Sequence, residues 1–376
     1  MVTSWERHCG IYRYSWPLVE EMRRQGHEVH VICHTDAPSA PMVHPVMDLG
    51  QPEWYRALER TVAEVKPDVV HVQFEYGLYA RRQEEGPRGT GAADAFGLAS
   101  ALFYWKTIDQ PTVMTMHSDN EGVADRLEYI DAVGRLVGAS IVHTPYAARP
   151  SGDVRIIPHM APPRASFPKA KERFGYPGRP VVGMVGYPEW YKRYDWFVRL
   201  WAEIADAAAE NTILVAACAP RPGSIEGGHF ATELQEAIDS SPRKESILYL
   251  PVLLDSEGFL ELVASFDLLV LPYRTAAASG PCMAASAVGT PVVASAVGGL
   301  RSYVESSGAG IMLDPEDGPG FRDEVLRLLG DDALRADLSA KAQRYAEEVS
   351  VEQTAMRHLE LYREVVARTV AARQAA

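Results

Sequence analysis

The sequence is poor in cysteine, and none of its four cysteines forms a Cys-x-x-Cys pair: Cys9, Cys33, Cys218 and Cys282 stand apart. That spacing argues against a disulfide framework and a thiolate zinc site, and leaves reduced, buried thiols as the expectation. No run reaches the roughly 18 apolar residues needed to span a bilayer, and the start lacks the charged and apolar stretches of a signal peptide. The expectation is a soluble, cytoplasmic protein. Positive charge is also short, with 37 Lys and Arg against 50 Asp and Glu and a formal net charge of −13. No dominant basic face is then available for a nucleic-acid backbone or an anionic membrane, so neither is expected as a partner. A local basic pocket for phosphate is compatible with that balance. No Gly-x-Gly-x-x-Gly follows an expected first strand, which argues against a dinucleotide dehydrogenase, and no cofactor is expected.

What is present is a chain of 376 residues with 47% hydrophobic content, enough for two globular domains. Apolar runs of strand length recur at Glu28 to Cys33, Asp68 to Phe74, Thr112 to His117, Ser140 to Thr144 and Val154 to Pro158. Helical spacing separates them at Tyr14 to Gln25 and Pro52 to Val65, the alternation of a parallel α/β sheet. The first strand has room only for Met1 to Trp5, shorter than such a strand ordinarily runs, and the expectation is a clipped central strand whose true start lies upstream. A polar, proline-containing stretch at Ala161 to Pro180 reads as a linker. A second series of strands follows at Val181 to Val185, Ile213 to Ala217, Ser246 to Leu250, Leu268 to Leu271, Pro291 to Ser295 and Gly310 to Leu313. The tail carries helical periodicity with a break near Val349-Ser350. A glycine-rich insert between Ala80 and Gly97 follows a strand's carboxyl end, the edge where open α/β sheets bind ligands.

Three groups of residues suit chemistry on that edge. In Glu6-Arg7-His8-Cys9-Gly10-Ile11-Tyr12, Gly10 lets the backbone approach a ligand at a helix start; an ordinary tight turn is the alternative. Lys192 and Arg193 leave a buried strand through Gly186-Tyr187-Pro188-Glu189-Trp190-Tyr191, and suit a diphosphate through charge-assisted hydrogen bonds of about 1.5 to 3 kcal/mol each; solvated loop charges are the alternative. In Tyr273-Arg274-Thr275-Ala276-Ala277-Ala278-Ser279-Gly280-Pro281-Cys282, Pro281 fits the first helical turn. The amides at Ser279 and Gly280 would then face an anion with the helix dipole behind them; close helix-sheet packing is the alternative for so many small residues. His71, Glu75 and His117 lie at or just past strand ends, in loops that also hold Tyr76 and Asp119, and are expected to converge on one cleft; histidines satisfied within the structure are the alternative. No spacing among these residues resembles a metal site, so no metal is assigned.

Taken in order, these segments resemble glycosyltransferase family 4 and its GT-B relatives. The resemblance rests on Cys9-Gly10-Ile11, Gly26-His27-Glu28-Val29, Pro67-Asp68-Val69-Val70-His71-Val72-Gln73, Thr115-Met116-His117, Ile157-Pro158-His159, Val185-Gly186 with Lys192, and Gly289-Thr290-Pro291-Val292-Val293-Ala294-Ser295 with Gly298-Gly299. It implies an α/β chain of two Rossmann-like domains facing across a cleft. These are an acceptor domain at 1–163, completed by a helix at about 350–376 crossing back, and a nucleotide-sugar donor domain at 164–349. It also implies transfer of a sugar from a nucleotide diphosphate sugar donor to a small-molecule or carbohydrate acceptor, with retention and without a bound metal. Lys192 then matches the cation on the diphosphate, Gly10 the loop near the phosphate, and His117 the histidine beside the transferred sugar. The expected catalytic residues are His117 and Lys192. Donor binding is assigned to Gly10, Gly186, Lys192, Arg193, Tyr273, Arg274, Ser279, Gly280, Pro281 and Cys282, and acceptor binding to His8, Tyr12, Glu75, Tyr76 and Asp119. Two positions depart from the pattern. The family's Glu, seven residues, Glu pair falls on Ala276 and Ala284, and its arginine after Gly186 is Tyr187, which leaves Arg193 or Arg274 as the second phosphate contact. The missing pair keeps open a non-catalytic nucleotide-sugar-binding protein; a nucleotide-sugar epimerase, which would need a carboxylate and acid-base partners reaching the sugar carbon, is a further alternative. The absence of a basic amphipathic anchor points to a soluble acceptor, and membrane association is not expected.

Overall fold

A computed structural model of the chain describes residues 1–6, 9–79, 96–117, 124–147, 149–220 and 225–375. It divides into two compact units, Met1–Pro158 with Val351–Ala376, and His159–Ser350.

The first unit contains α1 (Gly10–Arg24), β1 (Val31–His34), β2 (Val43–Met47), α2 (Tyr55–Val65), β3 (Val70–Phe74), α3 (Phe96–Thr107), β4 (Thr112–Met116), α4 (Ala124–Gly134), β5 (Ala139–Val142), β6 (Val154–Ile156) and α13 (Val351–Ala375). Strands β3 and β4 are buried along their whole length, as a parallel sheet covered on both faces requires. The pair β1-β2 and the sheet β3-β4-β5-β6 are joined by Val2, which bridges Ile32 and Val72 in parallel. Its amide donates to the His71 carbonyl at 2.8 Å, and its carbonyl accepts from the Gln73 amide at 2.9 Å. The central strand is therefore two isolated bridges wide. Strand β2 was hidden in the sequence by Pro45, a residue that sheets confine to edges and bulges.

Helix α13 begins after a break at Ser350 and buries Thr354, His358, Leu361, Tyr362 and Val365 within this unit. Toward its end, the Arg368 guanidinium donates to Asp153 Oδ2 at 2.7 Å and to the Gly138 carbonyl at 3.1 Å.

The second unit contains α5 (Ala170–Arg173), β7 (Val181–Val185), α6 (Tyr194–Ala207), β8 (Ile213–Ala217), α7 (Ile225–Asp239), β9 (Ile247–Tyr249), α8 (Ser256–Ala264), β10 (Leu268–Leu271), α9 (Gly280–Val288), β11 (Val292–Ser295), α10 (Gly298–Ser307), β12 (Gly310–Leu313), α11 (Gly318–Gly330) and α12 (Asp332–Glu348). Its six strands are parallel in the order β12-β11-β10-β7-β8-β9. From β7 the chain winds outward through β8 and β9, then returns to the other side of β7 through β10. That reversal puts the sheet's switch point between β7 and β10, where open α/β sheets form a ligand crevice beyond their carboxyl ends. Helix α6 shows why it packs there: Tyr194, Phe197, Val198, Trp201 and Ile204 recur on one face and are buried. Among the described residues, no helix is long and apolar enough to cross a membrane.

Candidate functional site

At the switch point, β7 ends in Gly186, whose φ of +116° is a conformation that side chains disfavour. A Cβ there would lie 3.1 Å from Lys192 Nζ, 3.5 Å from the Tyr194 hydroxyl and 3.7 Å from Pro281 Cγ. These distances bring the end of β7 and the turn Trp190–Lys192 that follows it together with the start of α9, which is distant in sequence. Lys192 is only 8% exposed. Its ammonium lies 5.8 to 5.9 Å from the ring centroids of Tyr191, Tyr194 and Tyr273, a range in which aromatic rings attract a cation. The Tyr194 hydroxyl donates to the Val185 carbonyl at 2.6 Å and lies 3.2 Å from the Tyr273 hydroxyl. Burial raises the pKa of both phenols, so they remain neutral beside the ammonium.

Ser279 caps α9, its Oγ accepting from the Cys282 amide at 3.3 Å, and Pro281 occupies the first turn as its fixed φ favours. Gly280 is exposed with open space around it. The loop before the cap is supported from α10: the Gly299 amide donates to the Ala276 carbonyl at 2.6 Å, and a Cβ on Gly298 would lie 2.1 Å from that oxygen. The glycine pair thus lets α10 approach the Ala276–Ala278 backbone. Ala276 and Ala284 are both buried.

Two of the expected donor contacts are placed elsewhere. Arg193 is 5% exposed, and its guanidinium donates to the Pro315 carbonyl at 2.5 Å, pairs with Glu316 at 3.0 Å and lies 4.4 Å from the Trp196 ring centroid. These contacts commit it to the α11 side of the loop, so it does not accompany Lys192. Cys282 turns its thiol into the core with no exposure, where burial raises its pKa; only its amide serves the α9 start. Tyr273 lies beneath Lys192, and Arg274 is exposed, its amide donating to the Tyr191 carbonyl at 2.7 Å. A cavity of about 290 Å³ opens beside the same loop, lined by Trp190, Arg193, Tyr194, Phe230 and Arg274 among others. Lys192 and Gly186 do not line it, so it neighbours the switch point without being that site.

In the first unit, Glu75, His117 and His143 are each the first residue past the adjacent strands β3, β4 and β5. His117 Nε2 lies 2.7 Å from Gln73 Oε1, and its Nδ1 lies 3.3 Å from His143 Nε2. His143 Nδ1 lies 2.9 Å from the Ile157 carbonyl. The Tyr14 ring packs against both imidazoles, with centroids 4.9 and 5.2 Å away. His71 does not join this edge. It is buried between Thr115 Oγ1 at 2.8 Å and the Tyr362 hydroxyl at 2.5 Å, and burial holds its pKa well below the usual value. Gly10 opens α1 after Cys9, which provides no side-chain cap, and Tyr12 packs with Trp5 and Trp16. His8 and Asp119 lie outside the described residues, as does the insert at 80–95; Tyr76 sits in a single turn, and its side chain lies outside the description. Among the described residues, no group of three His, Cys, Asp or Glu could hold a metal ion.

Neither the tyrosine cradle of Tyr191, Tyr194 and Tyr273 around Lys192 nor His143 is among the features expected from the sequence. The signals were the aromatic residues flanking Lys192-Arg193 and a third histidine at a strand end.

The family described as Glycosyltransferase Family 4 matches residues 9–88, and that described as Glycosyl transferases group 1 matches residues 179–331. D-inositol 3-phosphate glycosyltransferase from Salinispora arenicola is 33% identical over 201 residues, 53% of this chain and 44% of that protein. 2-Deoxystreptamine glucosyltransferase from Streptomyces kanamyceticus is 28% identical over 205 residues, 54% of this chain and 50% of that protein. The chain thus spans about half the length of the curated relatives it matches. Sucrose-phosphate synthase from Thermosynechococcus elongatus has the same fold at a TM-score of 0.79 and 18% identity, with 98% of each chain covered. Anabaena HepE in complex with UDP-glucose follows at 0.71 and 14%, covering 99% of this chain and 98% of its own. With one description matched on each unit and the fold shared along nearly the whole length, the chain belongs to the family 4 (group 1) glycosyltransferases of the GT-B fold.

Proposed function

We propose that the protein transfers a sugar from a nucleotide diphosphate sugar to a hydroxyl of a small-molecule or carbohydrate acceptor, with retention and without a bound metal, in the cytoplasm. The observation that carries this reading is the meeting of Lys192 Nζ, Gly186 and the Pro281 start of α9 at the switch point of the second unit's sheet. A diphosphate there would receive a buried ammonium, close backbone approach at a glycine and the positive end of a helix, the preorganised donors that stabilise a leaving phosphate. On this reading residues 164–349 hold the donor. Residues 1–163 with about 350–376 hold the acceptor, and His117 stands beside the transferred sugar. Two relatives are named for D-inositol 3-phosphate and 2-deoxystreptamine, both small molecules, which supports an acceptor of that class.

Lys192→Ala is expected to weaken donor binding or kcat/KM at least tenfold, about 1.4 kcal/mol. Titration calorimetry with UDP, GDP, TDP and ADP sugars, together with turnover assays, checks this. Unchanged values in the variant would reject the diphosphate assignment.

A second reading, a nucleotide-sugar-binding protein without transferase activity, is favoured by Ala276 and Ala284, which are buried and have no carboxylate to offer a sugar. Product formation in a mass-spectrometric screen of donors and acceptors would eliminate it.

A further inference from the structure

Between the Ile157 carbonyl and Gln73 Oε1 lie two imidazoles joined by three hydrogen bonds of 2.9, 3.3 and 2.7 Å. Both ends of this line are carbonyl oxygens, which only accept. The Ile157 end requires a hydrogen on His143 Nδ1, the Gln73 end requires one on His117 Nε2, and the central contact requires one between His143 Nε2 and His117 Nδ1. Three hydrogens on two rings are one more than two neutral imidazoles carry. The orientation of the Gln73 amide decides this count, and its surroundings support the orientation seen: Gln73 Nε2 lies 3.6 Å from Met1 Sδ, a thioether sulfur that can only accept. The reversed amide would give a neutral pair.

We propose that His117 and His143 form a proton-sharing dyad that carries a single positive charge, with His143 as the positioning residue that holds His117 in its charged, doubly donating form.

The surroundings suit that charge. Tyr14, from α1, packs against both rings at 4.9 and 5.2 Å, and an aromatic neighbour attracts a cation as an aliphatic one does not. From β3 the dyad meets Gln73, with His71 behind it, 3.3 Å from Gln73 Nε2. From α13, His358 lies 3.4 Å from the Tyr14 hydroxyl and Tyr362 lies 2.5 Å from His71. Burial holds His71 and His358 neutral and keeps Tyr14 and Tyr362 protonated. Glu75, one residue past β3, is a carboxylate at the same edge. The charge therefore resides on the dyad while the other imidazoles packed around it stay neutral. Its kinetic consequence rests on the proposed role of His117 beside the transferred sugar: activity then depends on a cation that titrates as a pair.

The test is nitrogen-15 NMR of the histidine rings in the full chain without ligand, so it does not depend on turnover. At pH 7 the wild-type dyad is expected to show three hydrogen-bearing ring nitrogens out of four. Two would overturn the proposal whatever the variants do. In His143→Phe, neutral His117 satisfies Gln73 by itself, so the midpoint of its titration is expected to fall by at least one pH unit; an unchanged midpoint would also overturn the proposal. In turnover assays the basic limb of the pH profile is expected to shift down by the same amount. A charged dyad in a protein that transfers no sugar would reject the transferase reading and leave the dyad standing, whereas a neutral dyad in an active enzyme would do the reverse.

Discussion

Single side chains set the geometry at the switch point, and Gly186 sets most of it. Its φ of +116° strains any side chain, and a methyl group there, 3.1 Å from Lys192 Nζ, would push on the ammonium. Gly186→Ala is expected to lower stability by on the order of 1–3 kcal/mol and to weaken donor binding along with it; urea midpoints and calorimetric titration measure the two effects. Tyr194→Phe removes the donor to the Val185 carbonyl and should cost about 1 kcal/mol of stability, with a loss of donor affinity if the cradle aims Lys192. At this scale the sequence was legible where a residue's chemistry depends on its place along the chain. Gly186, Lys192, Ser279 and Pro281 are local features of a loop or a helix start. Arg193 was misread because its partners, Pro315 and Glu316, lie more than a hundred residues away, and no local pattern distinguishes a guanidinium engaged there from one facing a phosphate. His143 was overlooked for a similar reason: its role emerges only when β5 is laid beside β4.

At the scale of elements, continuous apolar runs marked the buried parallel strands closely, and β7, β8, β10 and β12 begin and end where those runs do. The exceptions have physical causes. Strand β2 carries a proline, and the central strand is only a few residues long and owes its place to its neighbours. Helix α1 starts a turn earlier than its apolar spacing suggests, because Gly10 to Arg13 pair through the backbone without contributing to the buried stripe. Two elements can be probed directly. Ser279→Ala removes the α9 cap and should cost about 1 kcal/mol, read from the denaturation midpoint. Helix α13 carries His358, whose Nδ1 donates to the Thr354 carbonyl at 2.8 Å and whose pKa burial pushes down to about 4. Unfolded, such a ring titrates near 6.5. Between those values the unfolded chain binds the extra proton, so this contribution is intact above about pH 6.5 and is lost as the pH falls toward 4, by up to about 3 kcal/mol. Hydrogen exchange of α13 at pH 7 and pH 5 should show the loss, and His358→Gln should flatten it by one proton.

For the molecule as a whole, each unit has its own core, and a ligand held by one should stabilise that one. At a hundred times its dissociation constant, a nucleotide sugar should add about 2.7 kcal/mol to the unit that binds it. Hydrogen exchange is expected to slow in β7, β10 and α9 far more than in β3 to β6; the opposite pattern would place the donor on the first unit. The first unit is also assembled from two stretches of chain with the entire second unit between them. Tyr14 meets His358 and His71 meets Tyr362 across sequence separations of 344 and 291 residues. During synthesis, residues 1–158 therefore leave the ribosome with Tyr14 and His71 still lacking their α13 partners, and they remain so while the second unit, contiguous in sequence, is made and folds. The first unit is therefore begun before the second and finished after it, and in that interval its buried surface is incomplete.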